Sequence, residues 1–152
     1  MPTFALNFSR PGSEVVAQYF MFAALGFEGY RKVLGGAQQV ATYLASSIAE
    51  IGPYRLLTEG TDLPVFAFAL APEVTNYTVF DVSDRLRAKG WQVPAYTMPD
   101  NATDVAVLRI VVREGFSFDL ADDLLADLAD SDAYLQAHPA GLGPDAAGFS
   151  HT

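Results

Sequence analysis

The hydrophobic and polar positions of the chain predict helices first, followed by a mixture of strands and helices. Residues 14–34 are apolar on several sides, and residues 40–51 repeat apolar side chains at helical spacing. We expect two helices here, because Gly35 and Gly36 should loosen or end the first. The first helix has too many aromatic residues for a surface exposed to water, so we expect other surfaces to cover Tyr19, Phe20, Phe22 and Phe27.

The remaining pattern predicts four strands and two more helices. Apolar runs favour strands at residues 54–58, 64–70, 91–98 and 105–113. Amphipathic patterns favour helices at residues 78–88 and 118–137, and the core stripe of the last helix is predicted to be Leu120, Leu124, Leu125 and Leu128. We expect an α+β fold in which helices pack on one side of a small, mainly antiparallel sheet.

One arginine, Arg109, lies in the middle of the apolar strand at residues 105–113. Strand geometry places it on the same face as Val107 and Val111, while Leu108 and Ile110 point to the other face. A guanidinium that emerges from an apolar surface needs an anion, and its planar fork of donors suits a carboxylate. Arg109 could therefore form a structural ion pair with a nearby aspartate, or it could bind the carboxylate of a ligand. The residues alone leave both interpretations open.

Composition narrows the classes of function. The chain has 152 residues, of which 51% are hydrophobic, enough for one domain with a real core. Its net charge of -9 argues against nucleic acid or an anionic membrane surface as a partner. There is no cysteine, so disulfides and thiolate metal sites are excluded, and no apolar run is long enough for a membrane span. We expect no metal site and a cytoplasmic protein.

A possible phosphate-binding loop precedes the first helix. Ser9, Arg10 and Gly12 lie just before a predicted helix N-terminus, which is a favourable place for a phosphate. The same residues also form an ordinary turn and cap. Residues alone leave both interpretations open.

Several motifs in this order resemble the C-terminal part of the glutamate decarboxylases, which are fold-type I pyridoxal-phosphate enzymes. The motifs are NFSRPG at residues 7–12, DRLRAKGWQVPAYT at 84–97, RIVVREGF at 109–116 and GFSHT at 148–152. The resemblance implies conversion of L-glutamate to 4-aminobutyrate and carbon dioxide by a homo-oligomer built from dimers. It also implies that residues 1–52 join a cofactor domain, that 53–138 form the small α+β domain, and that 139–152 are a flexible tail.

The resemblance also implies roles for three residues. Arg109 matches the arginine that contacts the substrate carboxylate, and Ser9 matches a serine that reaches the cofactor phosphate of the neighbouring subunit. His151 matches a penultimate histidine whose tail closes the active site at neutral pH. Protonation of an imidazole in mildly acidic conditions would release such a plug.

The cofactor-binding lysine of the family has no match in this chain. The only lysines are Lys32, which follows an arginine on a helix, and Lys89, at the C-terminal end of another helix. We therefore expect pyridoxal phosphate to be bound mainly by a part of the enzyme outside this chain, and the chain alone to be inactive. The alternative is a stand-alone, non-enzymatic binding or assembly module that uses the aromatic face of its first helix.

Overall fold

The structure of the chain is a computed structural model that describes residues 11–138. Its elements are α1 (Ser13–Glu50), β1 (Tyr54–Leu56), β2 (Val65–Leu70), α2 (Val79–Ala88), β3 (Ala95–Thr97), β4 (Ala106–Val111) and α3 (Phe118–Ala137). The described residues fall into two compact units, divided between Val33 and Leu34. In the described range, no helix is both long and apolar enough to cross a membrane.

The first helix does not end where the glycine pair predicted. α1 continues through Gly35 and Gly36, where a Cβ would meet nothing within 4 Å, and its only non-helical residue is Gly26. Gly26 has φ 57° and ψ -173°, a conformation that is open essentially to glycine alone. The prediction was wrong because a glycine pair lowers helix stability without forbidding a helix, and the buried stripe that starts at Ala37 supports the later turns.

Four aromatic side chains of α1 that were expected to be covered are exposed in the structure. Their exposed fractions are 73% for Tyr19, 66% for Phe20, 55% for Phe22 and 80% for Phe27. A group of four exposed aromatic side chains on one helix is commonly covered by another surface. The expectation that such a surface exists stays a prediction.

The second unit contains a four-stranded sheet in the order β1-β2-β4-β3, and every neighbouring pair is antiparallel. In the register of the central pair, Phe68 lies opposite Leu108 and Phe66 opposite Ile110. These four side chains face a core that also receives residues of α2, α3 and the second half of α1. The predicted α+β fold, with helices packed against a small antiparallel sheet, is confirmed.

Strand β3 is shorter than predicted. The sequence favoured a strand over residues 91–98, whereas pairing with β4 covers only Ala95–Thr97. The residue before β3 is Pro94, which has no N–H to donate, although its carbonyl accepts a hydrogen bond from the N–H of Arg109 at 3.1 Å. The proline therefore ends the ladder on that side.

Helix α3 has the predicted bounds but a different buried face. Leu120 was predicted to lie in the core and is 41% exposed, because the buried stripe begins one residue later, at Ala121, and continues through Leu124 and Leu128. The Asp127 carboxylate of α3 accepts hydrogen bonds from the Trp91 indole at 2.7 Å and from Lys89 at 2.9 Å, so it joins the end of α2 to α3.

Arg85 on α2 packs against α3. Its guanidinium lies over the Tyr134 ring at 3.8 Å from the ring centroid, and its Nε is buried without a hydrogen-bond partner in the described part of the chain. A cation over an aromatic face is attracted by the ring quadrupole. This contact is a second link between α2 and α3.

A buried carboxylate, that of Asp132, organises the polar part of the core. It is 5% exposed and accepts hydrogen bonds from the Tyr77 hydroxyl and, at 2.8 Å, from the Gln136 amide. The nearby Tyr54 hydroxyl is buried and has no partner among residues 11–138. Burial raises the pKa of both tyrosines, so both hydroxyls carry their protons at neutral pH.

The two tyrosines provide a matched pair of substitutions. We expect Tyr77→Phe to lower the free energy of unfolding by about 1–3 kcal/mol, because the buried Asp132 carboxylate loses a donor. Tyr54→Phe removes a hydroxyl that has no partner in the described structure, so we expect it to be neutral or slightly stabilising. Urea unfolding followed by circular dichroism measures both. Equal losses in the two variants would contradict this assignment of the hydrogen bonds.

Candidate functional site

Arg109 lies in the middle of β4 with its side chain on the sheet face opposite the core. Its neighbours Leu108 and Ile110 are buried, whereas Arg109 is exposed, as the strand alternation predicted. Opposite Arg109 on β2 is Ala67. Because alanine is small, the guanidinium has open space on that side of the strand.

The guanidinium of Arg109 contacts an aromatic ring and no carboxylate in the described structure. Its central carbon is 5.4 Å from the centroid of the Tyr96 ring, within the range of a cation–π contact. None of the salt bridges among residues 11–138 includes Arg109. The ion-pair interpretation therefore finds no support there, and the fork of donors is available for an external anion.

Two pockets meet at Arg109. The first has a volume of about 460 Å³ and is lined by Arg87, Gln92, Val93, Pro94, Arg109 and Val111. The second has a volume of about 350 Å³, and its lining includes Glu59, Asp62, Val65, Ala67 and Arg109. Both volumes fall in the range of small-molecule sites. The arrangement can bind the carboxylate of a small molecule beside Arg109.

The described residues do not by themselves fit pyridoxal phosphate. An imine-forming lysine must lose its proton, but hydrogen bonds to Asp130 and Asp127 raise the pKa of the Lys89 ammonium and keep it charged. Lys32 is an exposed residue of α1. The predicted residues Ser9 and His151 lie outside the described range, so of the three predicted site residues the structure places Arg109.

Sequence reasoning missed the neighbours of Arg109. Tyr96 and Arg87 contribute an aromatic ring and a second cation, and although both lie in the motif at residues 84–97, the resemblance gave neither a role. Tyr96 could have been found by pairing the strand before the turn at residues 99–101 with β4, since that register places it opposite Val107 on the face of Arg109. Nothing in the sequence pattern indicated that Arg87 lines the same pocket.

The sequence of the chain was compared with those of known proteins. A scan against models of protein families found no match. The glutamate decarboxylase of Aliivibrio fischeri is 44% identical over 156 residues, which cover 99% of this chain and 34% of the relative. That of Solanum lycopersicum is 43% identical and covers 91% of this chain. The chain belongs to the glutamate decarboxylase family and corresponds to its C-terminal region.

Solved structures agree with this placement in the glutamate decarboxylase family. The glutamate decarboxylase of Lactobacillus brevis superposes with a TM-score of 0.82 at 40% identity, over 89% of this chain and 31% of that protein. A sphingosine-1-phosphate lyase of Burkholderia pseudomallei shares the fold alone, with a TM-score of 0.66 at 22% identity. The chain thus spans about a third of the length of the glutamate decarboxylases that it matches.

Proposed function

We propose that this chain is the C-terminal part of a pyridoxal-phosphate-dependent decarboxylase that converts L-glutamate to 4-aminobutyrate and carbon dioxide. The identity to glutamate decarboxylases over nearly the whole chain supports the reaction. The complete enzyme is a cytoplasmic homo-oligomer built from dimers. The observation that carries the proposal is the Arg109 guanidinium, which has no salt bridge among residues 11–138 and lies beside two pockets.

Arg109 binds the α-carboxylate of the substrate in this proposal. Two parallel N–H donors hold the two carboxylate oxygens and fix the orientation of the group that leaves as carbon dioxide. The ring of Tyr96 limits where the guanidinium can lie. The buried neighbours Leu108 and Ile110 anchor β4 in the core, so the arginine extends from a rigid strand.

The cofactor is held by the part of the enzyme that this chain does not span. Pyridoxal phosphate, when bound there, supplies the electron sink for cleavage of the bond to the carboxylate. Ser9 would donate its hydroxyl to the cofactor phosphate of a neighbouring subunit, and His151 would close the site at neutral pH. Both roles rest on the family resemblance.

The proposal predicts different activities for the chain alone and for an assembled enzyme. The purified 152-residue chain should release no carbon dioxide from L-glutamate in the presence of pyridoxal phosphate, because Lys89 is held in ion pairs and Lys32 is exposed on α1. A chimera that carries this chain in place of the matching third of the Lactobacillus brevis enzyme should release it. Turnover by the chain alone, or a folded chimera without activity, would refute the proposal.

The alternative of a non-enzymatic assembly module also has an observation in its favour, namely the exposed aromatic face of α1. Light scattering coupled to size-exclusion chromatography tests it on the chain alone. A defined oligomer whose association is lost in Phe20→Ser would favour the module. A stable monomer at micromolar concentration would count against it.

A further inference from the structure

The two pockets beside Arg109 have opposite charge. The pocket next to β3 is lined by two arginines, Arg87 and Arg109, and by no carboxylate. The pocket on the side of β2 includes Glu59 and Asp62 among its lining residues. An anion bound to Arg109 therefore meets attraction on one side and repulsion on the other. The charge pattern places the anion on the side of Arg87.

Arg87 is available for such a contact. It lies in the last turn of α2, and its only salt bridge in the described structure is a 3.6 Å contact with Asp84 one turn earlier. The two side chains are 68% and 75% exposed, and exposed pairs at this spacing are weak because water and salt screen them. A ligand carboxylate can therefore compete with Asp84 for the guanidinium.

Because the whole chain is negatively charged, a locally positive site is needed to attract small anions. The net charge of -9 repels small anions from most of the surface. Two arginines that line one pocket of about 460 Å³ create a region of opposite sign at the place where the substrate carboxylate is proposed to bind. Gln92 adds an uncharged amide that can donate hydrogen bonds to the same anion.

We propose that Arg87 is a second anion-recruiting residue of the Arg109 site, which draws small carboxylates into the pocket next to β3 and favours acidic substrates. This inference rests on the proposed function and adds a positioning residue to it. A single charge several ångströms from a carboxylate in a solvated pocket changes the binding constant by about three-fold at low ionic strength. Screening at physiological salt, where the Debye length is about 8 Å, reduces that factor.

The test uses the full chain and the dicarboxylate glutarate as probe. Nuclear magnetic resonance of the arginine Nε–H groups, recorded at low salt, should show Arg109 and Arg87 shifting together along one saturation curve. Arg87→Gln should raise the dissociation constant of glutarate about three-fold, and the difference should shrink when sodium chloride is added. Arg109→Gln should abolish the saturable shift of Arg87.

Two control variants make the result decisive. Arg31→Gln removes an arginine that lines neither pocket and should leave the glutarate affinity unchanged. Glu59→Gln should strengthen binding less than Arg87→Gln weakens it. The inference fails if no saturable binding is seen, if Arg109 shifts alone, or if Glu59→Gln has the larger effect.

A kinetic measurement separates this inference from the proposed function. In the chimera with the Lactobacillus brevis enzyme, Arg87→Gln should lower kcat/KM for glutamate about three-fold at low salt through KM, with kcat nearly unchanged. An active chimera in which Arg87→Gln alters neither KM nor its salt dependence overturns the role of Arg87 alone. A chimera without activity overturns the proposed function, while the glutarate titration still decides whether Arg87 recruits anions.

Discussion

Arg109→Gln in the chimera lowers kcat/KM for glutamate by about 100- to 1,000-fold. Glutamine keeps a polar side chain but loses the charge and the paired donors, and two charge-assisted hydrogen bonds to a carboxylate together contribute about 3–4 kcal/mol. Each 1.4 kcal/mol corresponds to a factor of ten in the rate. Steady-state release of carbon dioxide from L-glutamate measures the effect.

The control for this substitution is Arg109→Lys, which keeps the charge and loses the planar fork. Its activity should lie between those of the wild type and the glutamine variant, because a lysine holds a carboxylate as a point charge. Arg109 is exposed, so the thermal unfolding midpoint should stay the same in both variants. A glutamine variant with normal kcat/KM would show that Arg109 does not contact the substrate.

Phe68→Ala lowers the free energy of unfolding of the α+β unit by about 3–5 kcal/mol. Phe68 is fully buried at the centre of the sheet, where its ring packs edge-on against Tyr54 at 5.3 Å and lies 6.0 Å from the ring of Phe66. Loss of the Phe68 ring leaves a cavity and removes packing next to both β1 and β4, the two strands that pair with β2 at this residue. Small domains have a total stability of about 5–15 kcal/mol, so a large part of the stability would be lost.

The matched control is Phe27→Ala, the same chemical change at a residue that is 80% exposed. Little apolar surface leaves water there on folding, so we expect a change within about 0.5 kcal/mol. Urea unfolding monitored by circular dichroism compares the two variants. Similar losses at both positions would contradict the assignment of Phe68 to the core.

Strands and helices were predictable where the spacing of apolar residues along the sequence determines the local structure. The alternation of Leu108, Arg109 and Ile110 gave the correct faces of β4, and helical spacing gave the bounds of α3. The non-helical conformation at Gly26 was not predictable, because Gly26, Gly35 and Gly36 are equally permissive and no local pattern distinguishes them. Asp127 and Asp132 accept hydrogen bonds from Trp91 and Tyr77, which flank α2 and are far from α3 in sequence, so no local pattern indicates these contacts.

The candidate site was predictable only at its centre. A lone arginine in an apolar strand indicated Arg109, and the family resemblance suggested its ligand. The second arginine of the pocket comes from α2, and its approach to Arg109 depends on how α2 and the loop before β3 pack on the sheet. The spacing of charged residues along the sequence does not indicate that Arg87 and Arg109 line the same pocket.

A crystal structure of the chimera with pyridoxal phosphate and glutarate would show whether Arg109 binds the substrate carboxylate. We expect two distances of about 2.7–2.9 Å between Arg109 guanidinium nitrogens and the oxygens of one glutarate carboxylate. A structure in which Arg109 pairs with a carboxylate of the protein, while glutarate binds elsewhere, would contradict this expectation.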